Sequence, residues 1–68
     1  MNEQLIAAAR SLETKAEASK AKAIADTDAA IAANDHTLLL LATIEGKRYS
    51  IYTEIAASLR EAASVKEG

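Results

Sequence analysis

The sequence predicts an all-α fold, an antiparallel helical hairpin that dimerises into a four-helix bundle. Three observations lead to this class. Residues 2–33 contain 12 Ala and neither Gly nor Pro, a composition with high helix propensity. Apolar residues recur every three or four positions before and after residues 34–37, as on one face of an amphipathic helix. The two periodic segments have similar lengths, so the short break between them predicts antiparallel neighbours.

The first helix is predicted to span about residues 2–33, a length of about 48 Å. Alanine returns every seven residues along it, and side chains this small allow the axis of a second helix to approach closely. We therefore expect close packing along these alanines. The expected contact stripe of this helix consists of Leu5, Ala9, Leu12, Ala16, Ser19, Ala23, Thr27 and Ala30.

A turn is predicted at residues 34–37, where Asn, Asp, His and Thr interrupt the apolar pattern. Asn34 tolerates the left-handed backbone conformation that commonly ends a helix. Asp35 or Thr37 is a good N-cap for the next helix, because a short side-chain oxygen can accept from free backbone N–H groups of the first turn.

The second helix is predicted at about residues 38–66, with a stripe whose phase continues through Gly46. In a hairpin with this turn, residues whose numbers sum to about 70 face each other. We expect Leu12 near Leu59, Ala16 near Ile55 and Ala23 near Arg48. The expected stripe of this helix consists of Thr37, Leu41, Ile44, Arg48, Ile51, Ile55, Leu59, Ala62 and Lys66.

An alternative fold keeps the long first helix but places a β-hairpin at residues 37–53, followed by a short C-terminal helix. The segment is rich in Thr, Ile and Tyr, which favour strands, and Glu45-Gly46 could form its two-residue turn. Against this, an isolated two-stranded hairpin is only marginally stable. A third arrangement retains two helices but breaks the second at Gly46.

Composition limits the chain, residues 1–68, to a single small domain and excludes several function classes. It has no Cys, Pro, Phe or Trp, and its net charge is −2, so disulfide scaffolds and cysteine chemistry are excluded. No apolar run is long enough to span a membrane, and the N-terminal residues lack the pattern of a secretory signal. We therefore expect a cytoplasmic protein without membrane association.

No group of residues predicts catalysis, a metal site, a cofactor or a small-molecule substrate. His36 beside Asp35 lacks the further ligands of a metal site and has no nucleophile to activate. Asp26 and Asp28 resemble the opening of a calcium-binding loop, but the required Gly and closing Glu are missing. We therefore expect a non-enzymatic protein.

The predicted function is protein–protein interaction or regulation, through self-association as a homodimer or contact with another helical protein. A chain of this size with few large apolar residues commonly needs a partner for stability. The four consecutive residues Leu38–Leu41 cover more than one helix face, so one stripe within the chain cannot bury all of them. The residues expected at the interface are Leu5, Leu12, Leu38, Leu41, Ile44, Arg48, Ile51, Tyr52, Ile55 and Leu59.

An alternative function is a dimeric RNA-binding regulator. Basic residues interleaved with tyrosines can hold a nucleic-acid backbone and stack on its bases. The candidate residues for this band are Lys20, Lys22, Lys47, Arg48 and Tyr49. The predicted architecture is similar to that of Rop-type plasmid RNA regulators, whose helical hairpins dimerise into four-helix bundles, and to that of small hairpin co-chaperones of bacterial secretion systems.

Overall fold

The computed structural model describes residues 2–65, and within them the chain forms two α-helices joined by a short turn. Helix α1 spans Asn2–Ala33 and helix α2 spans His36–Ser64. The helices pack against each other as an antiparallel pair, with extents of 57 × 13 × 11 Å. The predicted all-α helical hairpin is confirmed.

Helix α2 is continuous through Gly46, so the alternative β-hairpin at residues 37–53 and the helix break at Gly46 are both wrong. The described residues contain no strand. The threonines that favoured a strand are accommodated in the helix. The hydroxyls of Thr43 and Thr53 donate to the carbonyls of Leu39 and Tyr49, each four residues earlier, at 3.0 Å. A continuous α2 also gives α1 a partner of nearly equal length.

The turn consists of Asn34 and Asp35 alone, so the predicted turn at residues 34–37 is too long by two residues. Asn34 has a φ of 51°, the left-handed conformation expected of it. Its N–H donates to Ile31 O at 3.3 Å, and the Asp35 N–H donates to Ala30 O at 3.0 Å. This is the hydrogen-bond pattern of a Schellman motif, which satisfies the last carbonyls of α1.

Asp35, one of the two predicted N-caps, caps α2, and the helix begins at His36 rather than at about residue 38. Asp35 Oδ1 accepts from the backbone N–H of Thr37 at 2.9 Å and of Leu38 at 3.4 Å. His36 and Thr37 therefore belong to α2. At the other end, α2 ends at Ser64. The predicted end at residue 66, and Lys66 on the expected stripe, lie outside the described residues.

The contact between the helices is built mainly from small side chains, as the alanine spacing predicts. Three of the four predicted alanines of α1 are buried and Ala23 is half-buried. Because the chain reverses at Asn34 and Asp35, residues whose numbers sum to about 69 lie at the same level of the hairpin. The buried residues are Ala9, Ala16, Ser19 and Ala30 in α1, with Ala42, Glu45, Ala56 and Ala63 in α2.

Within the described residues, the stripe predicted for α2 is wrong except at Leu59, because the helix is rotated so that other residues face α1. The inward positions, buried or half-buried, are Leu38, Ala42, Glu45, Tyr49, Tyr52, Ala56, Leu59 and Ala63. Ile55 and Arg48 are exposed, so the expected pairings Ala16–Ile55 and Ala23–Arg48 do not form. A ridge of Leu and Ile would hold the two axes apart, whereas alanines let them approach.

Candidate interaction surface

The contact between the helices has two flanks, and the first is polar along its middle and at the end away from the turn. Glu13 lies four positions after the buried Ala9, and Arg60 lies four positions after the buried Ala56. Arg60 Nε donates to Glu13 Oε2 at 2.6 Å, and Arg60 Nη2 donates to Glu13 Oε1 at 2.8 Å. In an antiparallel helix pair, side chains at the same position relative to the buried stripe of each helix lie on the same flank of the contact. The first flank is therefore the side of the hairpin that carries Glu13 and Arg60.

The same polar flank carries Lys20 and Tyr49. Lys20 Nζ lies 5.8 Å from the centre of the Tyr49 ring, within the range of a cation–π contact. The Arg60 hydrogen bond and charge lower the pKa of the Glu13 carboxyl below its ordinary value, and Glu13 raises the pKa of Arg60. Both shifts favour the charged forms that make the ion pair.

The second flank is apolar on the side of α2. Leu41 and Ile55 each come one position before a buried alanine, and Ile44 and Ile51 lie between them at helical spacing. These four side chains, the α2 aliphatic face, share one side of the helix. Each is between 45% and 54% exposed. Large aliphatic side chains that stay half in water on one helix face are typical of a contact surface.

Helix α1 contributes small side chains to this second flank. Ala29 comes one position before a buried alanine, as Leu41 does in α2. Ala18, Ala25 and Ala32 come two positions after the alanines of the α1 stripe. These four exposed residues form what we name the α1 alanine shelf. On the second flank, large aliphatic side chains therefore project from α2, and the short side chains of the α1 alanine shelf project from α1.

Two ion pairs lie near the middle of the second flank. Arg48 Nη1 lies 3.3 Å from Glu45 Oε1, and Lys22 Nζ lies 3.8 Å from Asp26 Oδ2. The two carboxylates are directed toward the contact between the helices, with side chains 11% and 17% exposed, whereas the side chains of Arg48 and Lys22 are 59% and 64% exposed. The two cations therefore extend from the buried Glu45 and the half-buried Asp26 into the middle of an apolar surface.

The structure divides the predicted interface residues into two groups. The first group is half-buried in the contact within the hairpin and comprises Leu5, Leu12, Leu38, Tyr52 and Leu59. The second group is exposed on one side of α2 and comprises Leu41, Ile44, Arg48, Ile51 and Ile55. Arg48 lies at the centre of the second group, bonded to Glu45. The second group is exposed in the closed hairpin, whereas the first group is partly covered by the contact between the helices.

The leucine run divides as expected, since no single face takes all four residues. Leu38 is half-buried against α1, whereas Leu39, Leu40 and Leu41 are 46%, 66% and 46% exposed. Leu41 belongs to the α2 aliphatic face. Leu40 is on the side of α2 directed away from α1, so it can serve as an exposed leucine outside the candidate surface.

The structure does not gather the predicted nucleic-acid band on one surface. Lys20 and Tyr49 meet on the polar flank, but Lys22 and Arg48 lie on the opposite flank and pair with acids. Lys47, Arg48 and Tyr49 are consecutive in a helix, so they point in directions about 100° apart.

Sequence reasoning did not identify the Glu13–Arg60 pair or the α1 alanine shelf. The ion pair could have been found from opposite charges that follow stripe alanines by four residues on both helices. No sequence pattern marks the α1 alanine shelf, because alanine is common along the chain, at 17 of the 68 residues. It becomes visible only when the α2 aliphatic face fixes which flank is apolar.

Within residues 2–65, no three His, Cys, Asp or Glu side chains come together as they would around a metal ion. Neither α1 nor α2 has the long apolar stretch that a membrane-spanning helix requires. Comparisons of the chain with family models, with curated proteins and with solved structures give no match. The candidate function therefore depends on the geometry of the surface alone.

Proposed function

We propose that this chain is a non-enzymatic helical interaction module that self-associates, two hairpins forming a four-helix bundle through their α2 aliphatic faces. The observation that carries the proposal is that the large aliphatic side chains of α2 lie outside the contact between the two helices. Buried alanines, with half-buried leucines and tyrosines, make the contact within the hairpin, while Leu41, Ile44, Ile51 and Ile55 remain about half exposed on one side. Burial of such side chains is the main source of stability for a small helical domain.

The hairpin by itself lacks the core that a stable domain of this size requires. No large side chain of the described residues is less than 2% exposed. The accessible surface is 5093 Å², whereas a compact protein of this mass exposes about 4,100 Å². The radius of gyration is 15.7 Å, against about 11 Å for a compact chain of this length.

The excess surface matches what a dimer would cover. It amounts to about 1,000 Å² for each chain, and each partner in a standard protein interface buries about 800 Å². A second copy supplies a matching surface without any other component, because a two-fold symmetric interface uses the same patch twice. This favours a homodimer over a different helical partner.

Sedimentation equilibrium over a hundredfold concentration range tests the proposal. We expect a dimer for the native chain and a monomer for Ile51→Asp, which places a charge in the α2 aliphatic face. The matched control is Leu40→Asp, which makes the same kind of change at an exposed leucine outside that face and should leave the dimer intact. Because the single hairpin lacks a stable core, circular dichroism should show that Ile51→Asp loses helicity together with the dimer, whereas Leu40→Asp keeps both.

Two results would overturn the proposal. One is a native chain that stays monomeric across the whole range. The other is an equal decrease in measured molar mass in Ile51→Asp and Leu40→Asp, because the association would then not depend on the α2 aliphatic face.

RNA binding has less support, since the five candidate residues do not share a surface. It predicts affinity that falls steeply with salt and is lost when Lys47 and Arg48 are both replaced.

A further inference from the structure

The second flank can meet a copy of itself in two ways that keep all neighbouring helices antiparallel. In the first, the two-fold axis is perpendicular to the helices, so the turns lie at opposite ends and α2 covers α2. In the second, the axis is parallel to the helices, so the turns lie at the same end and α2 of each copy covers α1 of the other. The sizes of the side chains on the α2 aliphatic face and on the α1 alanine shelf distinguish these arrangements.

We infer that, given the proposed self-association, each α2 aliphatic face packs on the α1 alanine shelf of the second copy, with both turns at the same end. In this arrangement a residue of α2 lies over the α1 residue that shares its level in the hairpin. Ile44 then lies over Ala25 of the second copy, and Ile51 lies over Ala18. Leu41 lies over Ala29. Three of the four large side chains of this face thus meet alanines, and Ile55 lies at the level of Thr14 and Lys15.

The alternative arrangement matches the surfaces poorly. It places isoleucine on isoleucine between the two α2 helices and alanine on alanine between the two α1 helices. The first pair of axes would be held apart while the second would need to approach closely, although each hairpin is a single packed unit. Protein contacts are packed as densely as organic crystals, and large side chains set against small ones achieve this density. The contact within the hairpin already uses alanine for this purpose.

The distance between the two turns tests the inference directly. The chain has no native cysteine, so His36→Cys, at the exposed first residue of α2, accepts a single spin label. Double electron–electron resonance on the dimer should give a label separation of roughly 15–25 Å, because neighbouring helix axes lie 8–10 Å apart. Turns at opposite ends would give roughly 45 Å, the length of the 29-residue α2.

The outcomes separate this inference from the proposed function. A separation near 45 Å in a dimeric sample overturns the same-end arrangement and leaves self-association in place. A monomeric sample without dipolar coupling overturns both. Dilution with unlabelled chain should reduce the modulation depth, which confirms that the coupling is between copies.

Disulfide crosslinking of mixed single-cysteine variants gives an independent test. A mixture of Ala25→Cys and Ile44→Cys can form a mixed disulfide only between two chains, and the same-end arrangement predicts it as the dominant product. A mixture of Ile44→Cys and Ile55→Cys brings two α2 helices together only when the turns lie at opposite ends. Preferential crosslinking of this second mixture would overturn the inference.

Discussion

Arg60 and Glu13 join the two helices across 47 positions of sequence through two parallel hydrogen bonds, of 2.6 Å and 2.8 Å. The planar guanidinium matches both carboxylate oxygens, so the contact has a defined direction as well as a charge. It favours one longitudinal register of the two helices, in addition to the packing of the buried alanines and the half-buried leucines and tyrosines between them.

The first prediction concerns the pH dependence of this pair. The folded-state pKa of Glu13 is lowered by Arg60, so its contribution to stability is present above the ordinary pKa of 4.5 and is lost as pH falls below that value toward the folded-state pKa. We expect Glu13→Gln to have a lower Tm than the native chain at pH 7, by a few degrees at most because the pair is exposed. The difference should vanish in acid, as measured by thermal circular dichroism between pH 7 and pH 2.

The matched control for this experiment is Glu54→Gln, which makes the same charge change at an exposed position of α2. It should lower Tm less than Glu13→Gln at neutral pH. Added salt should also reduce the effect of Glu13→Gln, since screening weakens an exposed pair. Equal effects of the two variants would mean that net charge, rather than the contact with Arg60, determines the change.

The second prediction concerns Gly46, a glycine inside a continuous helix. An added Cβ at this position would meet no atom within 4 Å, and alanine is favoured over glycine in a helix by about 1 kcal/mol. Gly46→Ala should therefore raise the free energy of unfolding by about that amount in urea denaturation. The reverse change at an exposed position of the same helix, Ala57→Gly, should lower it by a similar amount. A destabilising Gly46→Ala would indicate that this position is closed by a partner chain.

The third prediction concerns the Asp35 cap. Asp35→Ala removes the side-chain oxygen that accepts from Thr37 and Leu38, and loss of such a cap costs about 1 kcal/mol. Urea denaturation should show this loss, whereas Asp35→Asn should nearly retain native stability because its amide oxygen can accept the same bonds. If Asp35→Asn were as destabilising as Asp35→Ala, the carboxylate charge, and not the hydrogen bond, would be the important property.

The helices and the turn could be predicted from local signals in the sequence. The alanine-rich segment without Gly or Pro sets α1, and Asn34 and Asp35 each have a conformational or hydrogen-bonding property that marks a helix end. These signals depend on residues close together in the chain. The turn is shorter than predicted because Asp35, rather than Thr37, is the N-cap of α2, so the helix already begins at His36.

The rotation of α2 could not be predicted from hydrophobicity, since two stripes compete on that helix. The stripe through Leu41, Ile44, Ile51 and Ile55 is the more apolar one, whereas the stripe that faces α1 contains Glu45 and two tyrosines. Close approach of the helices selects the second stripe because alanine recurs along it, as it does along the stripe of α1. This selection depends on α1, so inspection of α2 alone cannot show it. The rejected stripe is the one that stays about half exposed.

The last prediction tests whether close approach at alanine determines this rotation. Ala16 is 2% exposed between the helices, so Ala16→Leu must push them apart or distort its own rotamer, at a cost of about 1–3 kcal/mol. Ala21→Leu is the control, because Ala21 is exposed on the same helix and leucine there changes helix propensity little. Urea denaturation should show a lower free energy of unfolding for Ala16→Leu than for Ala21→Leu. An Ala16→Leu chain as stable as the native one would show that the contact has room for a large side chain and that alanine does not select the stripe of α2.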